Sequence, residues 1–340
     1  FNSAGVKSTD LAQGPLAADA HYNRYAFYLS DTFELGHWNI EPGIRFSSIE
    51  ADLKRYYLKN SDPSTLQPSE KKIYQELIGS IRANKKFTPN NFVFFGLSQG
   101  FRPPSLYDLT STDETSAVEH PNTSLDSENF VQAEVGYKGS FHSWNWEASY
   151  YHTWIKDMIV RSPVEAGKSD VLKANGDGYI QGLEIQVGYD WSITWRSELS
   201  LSWMDSKVEQ LLDHNAIGAI EINGRNYSSV DYPTTRLMPA QAHLVTRYTP
   251  FDAPWWAEIS ILAAGKADKL SLKDETDKSR IPADGTPAYA LIGLHSGMNI
   301  GKHSAIFLGI ENLNDSDYRV HGSGLNGSGR NFIFSFNSSF

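Results

Sequence analysis

The sequence predicts an all-β protein, a transmembrane antiparallel β-barrel, and three observations lead to this fold class. Apolar and polar residues alternate with a period of two along most of the chain, as in strands with two different faces. About thirteen strands are predicted, most of them about 9–14 residues long, whereas soluble strands average about 5–6 residues and tilted membrane-spanning strands need about 9–11. The connections alternate between tight turns and long polar loops, as in outer-membrane barrels.

The alternation is clearest in the segment Leu183–Trp191. Its odd-numbered residues are apolar or aromatic, and its even-numbered residues are polar or glycine. We therefore predict that Leu183 and its odd-numbered neighbours face lipid, and that Glu184 and Gln186 face the lumen of a barrel. Similar strands are predicted at 38–47, 130–138 and 144–151, and near 21–35, 77–87, 91–101, 195–207, 240–249, 255–266, 288–300, 303–313 and 329–340.

Connections of two lengths separate the predicted strands. The tight ones include Gly36-His37, His142-Ser143 and Gly301-Lys302, and we place them on the periplasmic rim. The long ones are rich in Asp, Ser, Asn, Gly and Pro, and we place them on the extracellular rim. They cover 57–76, 102–128, 162–177, 208–239, 267–287 and 314–329. The stretch 67–80 is also predicted to hold a short helix.

Aromatic residues cluster at the ends of the predicted strands, beside the turns. Amphipathic rings favour the level of the lipid headgroups, so we predict that these residues form a girdle. The candidates are Trp38, Trp144, Trp191, Trp195, Trp255, Trp256 and Tyr289. The last strand places Phe332, Phe334, Phe336 and Phe340 on one face, which would favour aggregation in water but suits contact with lipid.

Composition excludes several classes of protein. No run of the 340 residues approaches the roughly 18 apolar residues of a membrane helix, and the mean hydropathy is −0.42. A membrane barrel escapes this test because only every second residue faces lipid. The absence of cysteine excludes disulfide scaffolds and thiol nucleophiles. The net charge of −10 argues against a nucleic-acid partner.

Five short segments stand in a fixed order between about residue 21 and residue 340. Their key positions are Pro42, Gly43 and Arg45; Phe101, Arg102 and Pro103; Leu125, Glu128, Glu134 and Gly136; Asn175, Gly182 and Glu184; and Glu311, Asn312, Leu313, Tyr318 and Arg319. In this order they resemble the "PGxR", "GFRxP", "NPxLxPE…ELG", "N…G…GxE" and "ENLxDxxYR" motifs of the barrel of TonB-dependent receptors, which are plugged active transporters. Each motif alone is weak, but five in order followed by an aromatic final strand are specific.

The resemblance implies a location in the outer membrane and a set of partners. Barrels of this family have about 22 strands, so residues 1–340 are expected to be the C-terminal part of a barrel, with about thirteen or fourteen strands and without the plug domain, the energy-coupling TonB box and the first strands. The implied partners are outer-membrane lipid and lipopolysaccharide, the TonB complex acting through the plug, and a small-molecule ligand. The final strand, ending at Phe340, resembles the signal that the barrel-insertion machinery reads.

The function that the resemblance implies is energy-coupled uptake of a scarce, bulky ligand, typically a ferric siderophore or another metal chelate. No enzyme activity, cofactor or resident metal is implied, since no nucleophile elbow or metal-spaced His pair is found. By the alternation, Glu134, Glu184 and Glu311 face the lumen, either as solvated wall or as plug contacts. The loop candidates for ligand contact are Tyr107, Asp108, Asp113, Glu114, Glu119 and His120.

Three other functions remain open at this point. Haem receptors of the same family resemble this layout, with a loop histidine such as His120 available as an axial iron ligand. A passive channel would need a complete barrel of about fourteen strands, whose first and last strands pair with each other. An outer-membrane protease or lipase is the third alternative.

Overall fold

Long antiparallel strands make up the protein. The computed structural model describes residues 16–17, 19–58, 63–112, 119–163, 171–213, 220–222 and 225–339. Strand accounts for 66% of the chain and helix for almost none, and 17 strands form one antiparallel sheet. The predicted all-β fold is therefore confirmed. Within the described ranges, no helix is long and apolar enough to cross a membrane.

The elements follow one another in a simple order along the chain. The strands are β1 (Asp19–Ser30), β2 (Phe33–Leu35), β3 (Trp38–Tyr57), β4 (Leu66–Gln67), β5 (Glu70–Thr88), β6 (Asn91–Arg102), β7 (Glu119–His120), β8 (Glu128–Phe141), β9 (Trp144–Pro163), β10 (Val171–Asp190), β11 (Trp195–Asp213), β12 (Ile220–Ile222), β13 (Arg225–Tyr232), β14 (Gln241–Tyr248), β15 (Trp255–Ala264), β16 (Tyr289–Ile300), β17 (Ser304–Glu311) and β18 (Asn331–Ser338). The helices are α1 (Leu106–Thr110), α2 (Leu272–Thr276) and a 3₁₀ turn at Pro63–Thr65.

The sheet is a meander in which consecutive long strands pair. The strands β1 and β2 both pair with β3, so together they form one interrupted strand. In the same way, β13 and β14 both pair with β11 and form a second interrupted strand. Counted in this way, and without the short strands β4, β7 and β12, the meander has thirteen strand positions, in agreement with the prediction. It is not closed: among the described residues, no register joins the outer edge of β1 or β2 to that of β18.

The cross-strand register gives the sheet two chemically different faces. We call the side that carries Leu183, Ile185 and Val187 the apolar face, and the opposite side the polar face. Residues that lie opposite each other across antiparallel strands share a face, so the apolar face can be followed from strand to strand. Its pairs include Val135–Tyr150, Tyr150–Leu183, Val187–Leu199, Leu199–Leu244, Leu244–Ile261, Ile259–Leu294, Leu294–Ile310 and Ile310–Phe332.

Aromatic rings line the edge of the apolar face next to the tight turns. They form two runs of touching rings on neighbouring strands, Trp144–Tyr189–Trp191 and Trp195–Tyr248–Trp255, with ring centroids 4.4–5.6 Å apart. We call these rings the aromatic belt. Two candidates for the girdle do not belong to it. Trp256 lies on the polar face, under the Arg247 guanidinium at 4.3 Å. Tyr289 also lies on the polar face, opposite Ala264 at the long-loop end of β16. The alternation of the strand excludes two adjacent residues from the same face, so Trp255 and Trp256 cannot both join the belt.

The predicted helix in 67–80 is wrong. Most of these residues form the first part of the 19-residue strand β5, which pairs with β3 over Glu70–Lys85 and with β6 over its second half. The local sequence contains good helix formers, such as Glu70, Lys71 and Lys72, but the backbone of this part of β5 pairs with β3. Tertiary pairing therefore overrides local propensity. As a result the strands extend further towards the loops than predicted, and several reach 19 or 20 residues.

Gly178 lies where β10 approaches the backbone of β11 too closely for a side chain. A Cβ atom added there would lie 2.1 Å from the carbonyl oxygen of Lys207. Because that oxygen cannot move away without disturbing the strand pairing, we expect Gly178→Ala to lower the free energy of unfolding by about 1–3 kcal/mol. Urea titration followed by tryptophan fluorescence measures the loss. Gly96→Ala is the control, since its Cβ would meet nothing closer than 3.7 Å, and equal stabilities would contradict this interpretation.

Candidate functional site

The long connection between β6 and β8 folds back over the sheet. We call its described residues, 103–112 and 119–127, the strap. Leu109 and Leu125 of the strap are buried against Ala51 and Leu53 of β3. Ala51 and Leu53 lie on the polar face, because they alternate with the residues of β3 that continue the apolar face. The strap therefore covers the outer part of the polar face, at the rim of the long loops.

Hydrogen bonds attach the strap to strands on both sides of the β6–β8 pair, where the strap begins and ends. On one side, the Tyr22 hydroxyl of β1 donates to the Pro104 carbonyl oxygen at 3.0 Å. On the other side, β7 pairs in parallel with the start of β10, and the Asn122 amide donates to the Lys173 carbonyl oxygen at 2.8 Å. Since β3 and β10 lie on opposite sides of β6 and β8 in the sheet, the strap crosses the strands between them.

Arg102, the last residue of β6 before the strap, binds two carboxylates. Arg102 and Glu128 lie directly opposite each other across β6 and β8, and they form a bidentate pair with N···O distances of 2.5 and 2.6 Å. The same guanidinium donates to Asp108 at 2.9 Å. Asp108 also closes the capping box of α1 with Ser105. Burial alone would raise the pKa of Asp108, but the bonds from Ser105 and the charge of Arg102 lower it below its ordinary value.

A second group of charges lies at the other end of the strap. Arg161 and Lys173 face each other across β9 and β10, which places two positive charges side by side. Glu119 compensates them, because its carboxylate lies 2.8 Å from Arg161 Nε and 3.7 Å from Lys173 Nζ, and it also accepts a bond from the Ser111 hydroxyl at 2.6 Å. Together the two groups contain three cations and three carboxylates, so the network carries no net charge.

The predicted contact residues occupy different positions in the strap. Tyr107 is 38% exposed, with its ring under the Lys173 ammonium group at 3.7 Å. Asp108 and Glu119 are buried and engaged in the charge networks, and His120 is half-buried in β7. Ligand contact by these residues stays a prediction. Asp113, Glu114 and the terminal Phe340 lie outside the described residues.

The other motif positions fall on strands and hairpins around the strap. Asn175 ties the strap to β10, since its side chain bonds both the amide and the carbonyl group of Asp126. Asn312, with a left-handed φ of 50°, ties the start of the last long loop to Ser316 and Ser328.

The glutamates predicted on the lumen side, Glu134, Glu184 and Glu311, alternate with residues of the apolar face and so lie on the polar face. The remaining positions are Pro42, Gly43 and Arg45 in β3, Phe101 in β6, Pro103 in the strap, Gly136 in β8, Gly182 in β10, and Leu313, Tyr318 and Arg319 after β17.

Sequence reasoning did not identify Arg161, Lys173 or a second polar cluster in the outer loops. That cluster consists of Arg236, Asp274 and His321, which come from three different connections. The Arg236 amide donates to Asp274 at 3.0 Å, and His321 Nδ1 lies 2.9 Å from the Thr286 hydroxyl. None of these residues stands in a motif, and their proximity depends on loop conformation. No sequence signal could therefore have identified them.

Comparison with known proteins identifies a family and similar structures that cover most of the chain. The family described as "TonB dependent receptor-like, beta-barrel" matches residues 2–313. No match is found among curated proteins. The copper transporter OprC superposes with a TM-score of 0.76 at 18% identity, over 95% of this chain and 49% of its own.

Two further structures give the same result. The ferric-catecholate import receptor Fiu of E. coli K12 superposes with a TM-score of 0.65 at 16% identity, over 94% of this chain and 45% of its own. The siderophore receptor PiuA of Acinetobacter baumannii gives 0.64 at 18%, over 94% and 43%. This chain thus spans about half the length of the solved structures that it matches. At these identities the likeness shows the fold alone, whereas the family match covers most of the sequence, and the chain therefore belongs to the β-barrel family of TonB-dependent receptors.

Proposed function

We propose that this chain forms part of an outer-membrane receptor for the energy-coupled uptake of a scarce, bulky ligand, such as a ferric siderophore or another metal chelate. Family membership carries this proposal. The names of the structural neighbours, which include a copper transporter and siderophore receptors, support a metal or metal chelate as the ligand class. Energy coupling would come from the TonB complex, acting through a plug within the barrel.

The two faces of the sheet support an orientation in the membrane. The apolar face ends in exposed rings such as Phe332 and Phe334, which are 71% and 69% exposed, and we propose that it contacts lipid. The aromatic belt beside the tight turns would then lie at the periplasmic headgroup level. The strap and the other long loops would face the outside, next to lipopolysaccharide, while β18 would engage the barrel-insertion machinery.

The open edges of the sheet favour a receptor over a passive channel. A complete channel of about fourteen strands would require β1 or β2 to pair with β18. No such register occurs within the part of the chain that the structure describes. Unpaired backbone groups cost several kcal/mol each in hydrocarbon. We therefore propose that both edges pair with further strands in the working barrel.

The test of the proposed function is growth on defined metal sources. We expect a strain without the receptor gene to lose growth on one ferric chelate at limiting concentration, and to regain it with the gene supplied on a plasmid. Growth on ferrous iron, which needs no such receptor, is the control. Haem and copper are supplied in parallel, so a defect confined to haem would favour the haem receptor instead. Normal growth on every metal source would contradict the proposal.

A further inference from the structure

Three outer loops meet at one buried polar cluster, away from the strap. The first loop, 233–240, precedes β14; the second, 265–288, joins β15 to β16; the third, 312–330, joins β17 to β18. Arg236, Asp274 and His321 come from these three loops in turn, and we call them the clasp. Asp274 is 1% exposed and His321 is 7% exposed, so water reaches neither residue freely while the loops are together.

Close contacts bind the first two loops to each other. Asp274 accepts the Arg236 amide at 3.0 Å through Oδ2, and its Oδ1 lies 3.6 Å from Arg236 Nε. The Arg236 guanidinium also donates to Asp277 at 2.5 Å. Arg236 adopts these contacts with a left-handed φ of 63°, a conformation that a residue with a side chain holds only where its surroundings compensate.

The third loop packs against the same guanidinium. Gly322 has a φ of 80°, and a Cβ atom there would lie 2.7 Å from Arg236 Cδ and 3.1 Å from its Nη1. The preceding residue, His321, is fixed through Nδ1 by the Thr286 hydroxyl of the second loop. Each loop therefore contacts the other two around Arg236 and His321.

The clasp contains polar atoms whose hydrogen-bonding capacity is not used. Arg236 Nη1, Asp274 Oδ1 and His321 Nε2 are buried, and none of them has a hydrogen-bond partner within the described ranges. Buried polar atoms without partners are uncommon and destabilise the arrangement that holds them. Protonation of the imidazole would place a second positive charge beside Arg236 and would leave Nε2–H as a buried donor without an acceptor.

We propose that the clasp is a proton-operated lock, which holds the three outer loops together while His321 is neutral and releases them when His321 is protonated. The lock does not require a particular ligand, and it goes beyond the uptake function proposed above. The lock adds that these three outer loops separate at acid pH.

The surrounding charges determine the direction of the effect. Burial lowers the pKa of His321, the carboxylate of Asp274 opposes this shift, and the guanidinium of Arg236 adds to it. Asp277 and Arg280 pair with each other near Arg236 and largely offset each other. Once the loops separate, His321 regains an ordinary pKa of about 6.5. The stabilisation of the closed loops is therefore complete above about pH 6.5 and declines as the pH falls below that value.

Spin-label distances test the lock directly. The chain contains no cysteine, so labels can be attached through Asp284→Cys in the second loop and Leu325→Cys in the third, both at exposed positions. In the receptor purified from outer membranes, we expect a narrow distance distribution at pH 7.5 and a broad one at pH 5.5. His321→Gln should give the same distribution at both pH values. His303→Gln, at an exposed turn on the opposite rim, should behave like the parent protein.

A second variant covers the case in which His321→Gln loosens the loops at every pH. Thr286→Val removes the hydrogen-bond partner of His321 Nδ1 and so weakens the closed arrangement of the loops. The distance distribution should therefore broaden at a higher pH than in the parent protein, and Thr286→Ser should restore the parent midpoint. The lock is disproved if the parent distribution does not change with pH, if His321→Gln keeps the pH response, or if Thr286→Val leaves the midpoint unchanged.

Discussion

Deletion of residues 106–120 from the receptor is expected to abolish high-affinity ligand binding while the barrel stays assembled. The deletion removes α1, with Leu109 from the buried core of the strap, and it also removes Glu119. The deletion also removes every loop residue that the sequence predicts to contact the ligand, from Tyr107 to His120, so we expect binding to be lost. Arg102 and Glu128 lie outside the deletion, so the pairing of β6 with β8 is kept.

Two measurements distinguish loss of binding from loss of folding. Equilibrium binding of the ferric chelate that supports growth reports affinity, and the heat-dependent mobility of the protein on gels reports barrel assembly. A deletion of 164–169, in the connection between β9 and β10, is the control for shortening a long loop, and it should reduce affinity less. Unchanged affinity after deletion of 106–120 would refute the role of the strap.

An arginine on the apolar face is expected to oppose folding into a bilayer. Ile185 lies on that face in the middle of the spanning part of β10, away from the aromatic belt at Tyr189 and Trp191. A charged side chain near the bilayer midplane destabilises a barrel by about 2–4 kcal/mol, which is about 30- to 700-fold in the folding equilibrium. Urea titration of the receptor in lipid vesicles measures the change for Ile185→Arg.

The neighbouring residue provides a matched control for this substitution. Gln186 is on the polar face, where its amide donates to Glu198 at 2.5 Å. An arginine there can pair with Glu198 and point away from lipid, so Gln186→Arg should change the stability by less than about 1 kcal/mol. If the two variants are equally destabilised, the proposed assignment of the faces to lipid and lumen is wrong.

The faces of the sheet could be predicted from the sequence because they depend only on local alternation. Leu183, Ile185 and Val187 share a face wherever β10 pairs, since a strand turns by half a revolution at each residue. The positions of the short turns follow from Gly36, with a φ of 63°, and Gly301, with a φ of 62°, because glycine adopts this conformation without strain. These features need no knowledge of distant partners.

The charge networks could not be predicted, because they depend on register and loop path. Arg102 and Glu128 are 26 residues apart, and only the pairing of β6 with β8 brings them face to face. In the sequence, Arg161 and Lys173 are ordinary cations near the ends of strands. Only the pairing of β9 with β10 shows that they lie side by side. The prediction of a helix within 67–80 is wrong for the same reason. Pairing with a neighbouring strand decides the conformation of these residues, and their local propensity does not.

The balance of charge in the two networks beside the strap has a consequence for the approach of a ligand. Opposite charges held within a few ångströms cancel at a distance, so these six groups add little to the electrostatic potential outside the protein. The net charge of −10 therefore comes from other residues of the chain. We expect an anionic chelate to meet a weak repulsion from this chain, which salt screens beyond about 8–10 Å, and a cationic chelate to be attracted. The rate of encounter should then depend on charged residues outside the two networks.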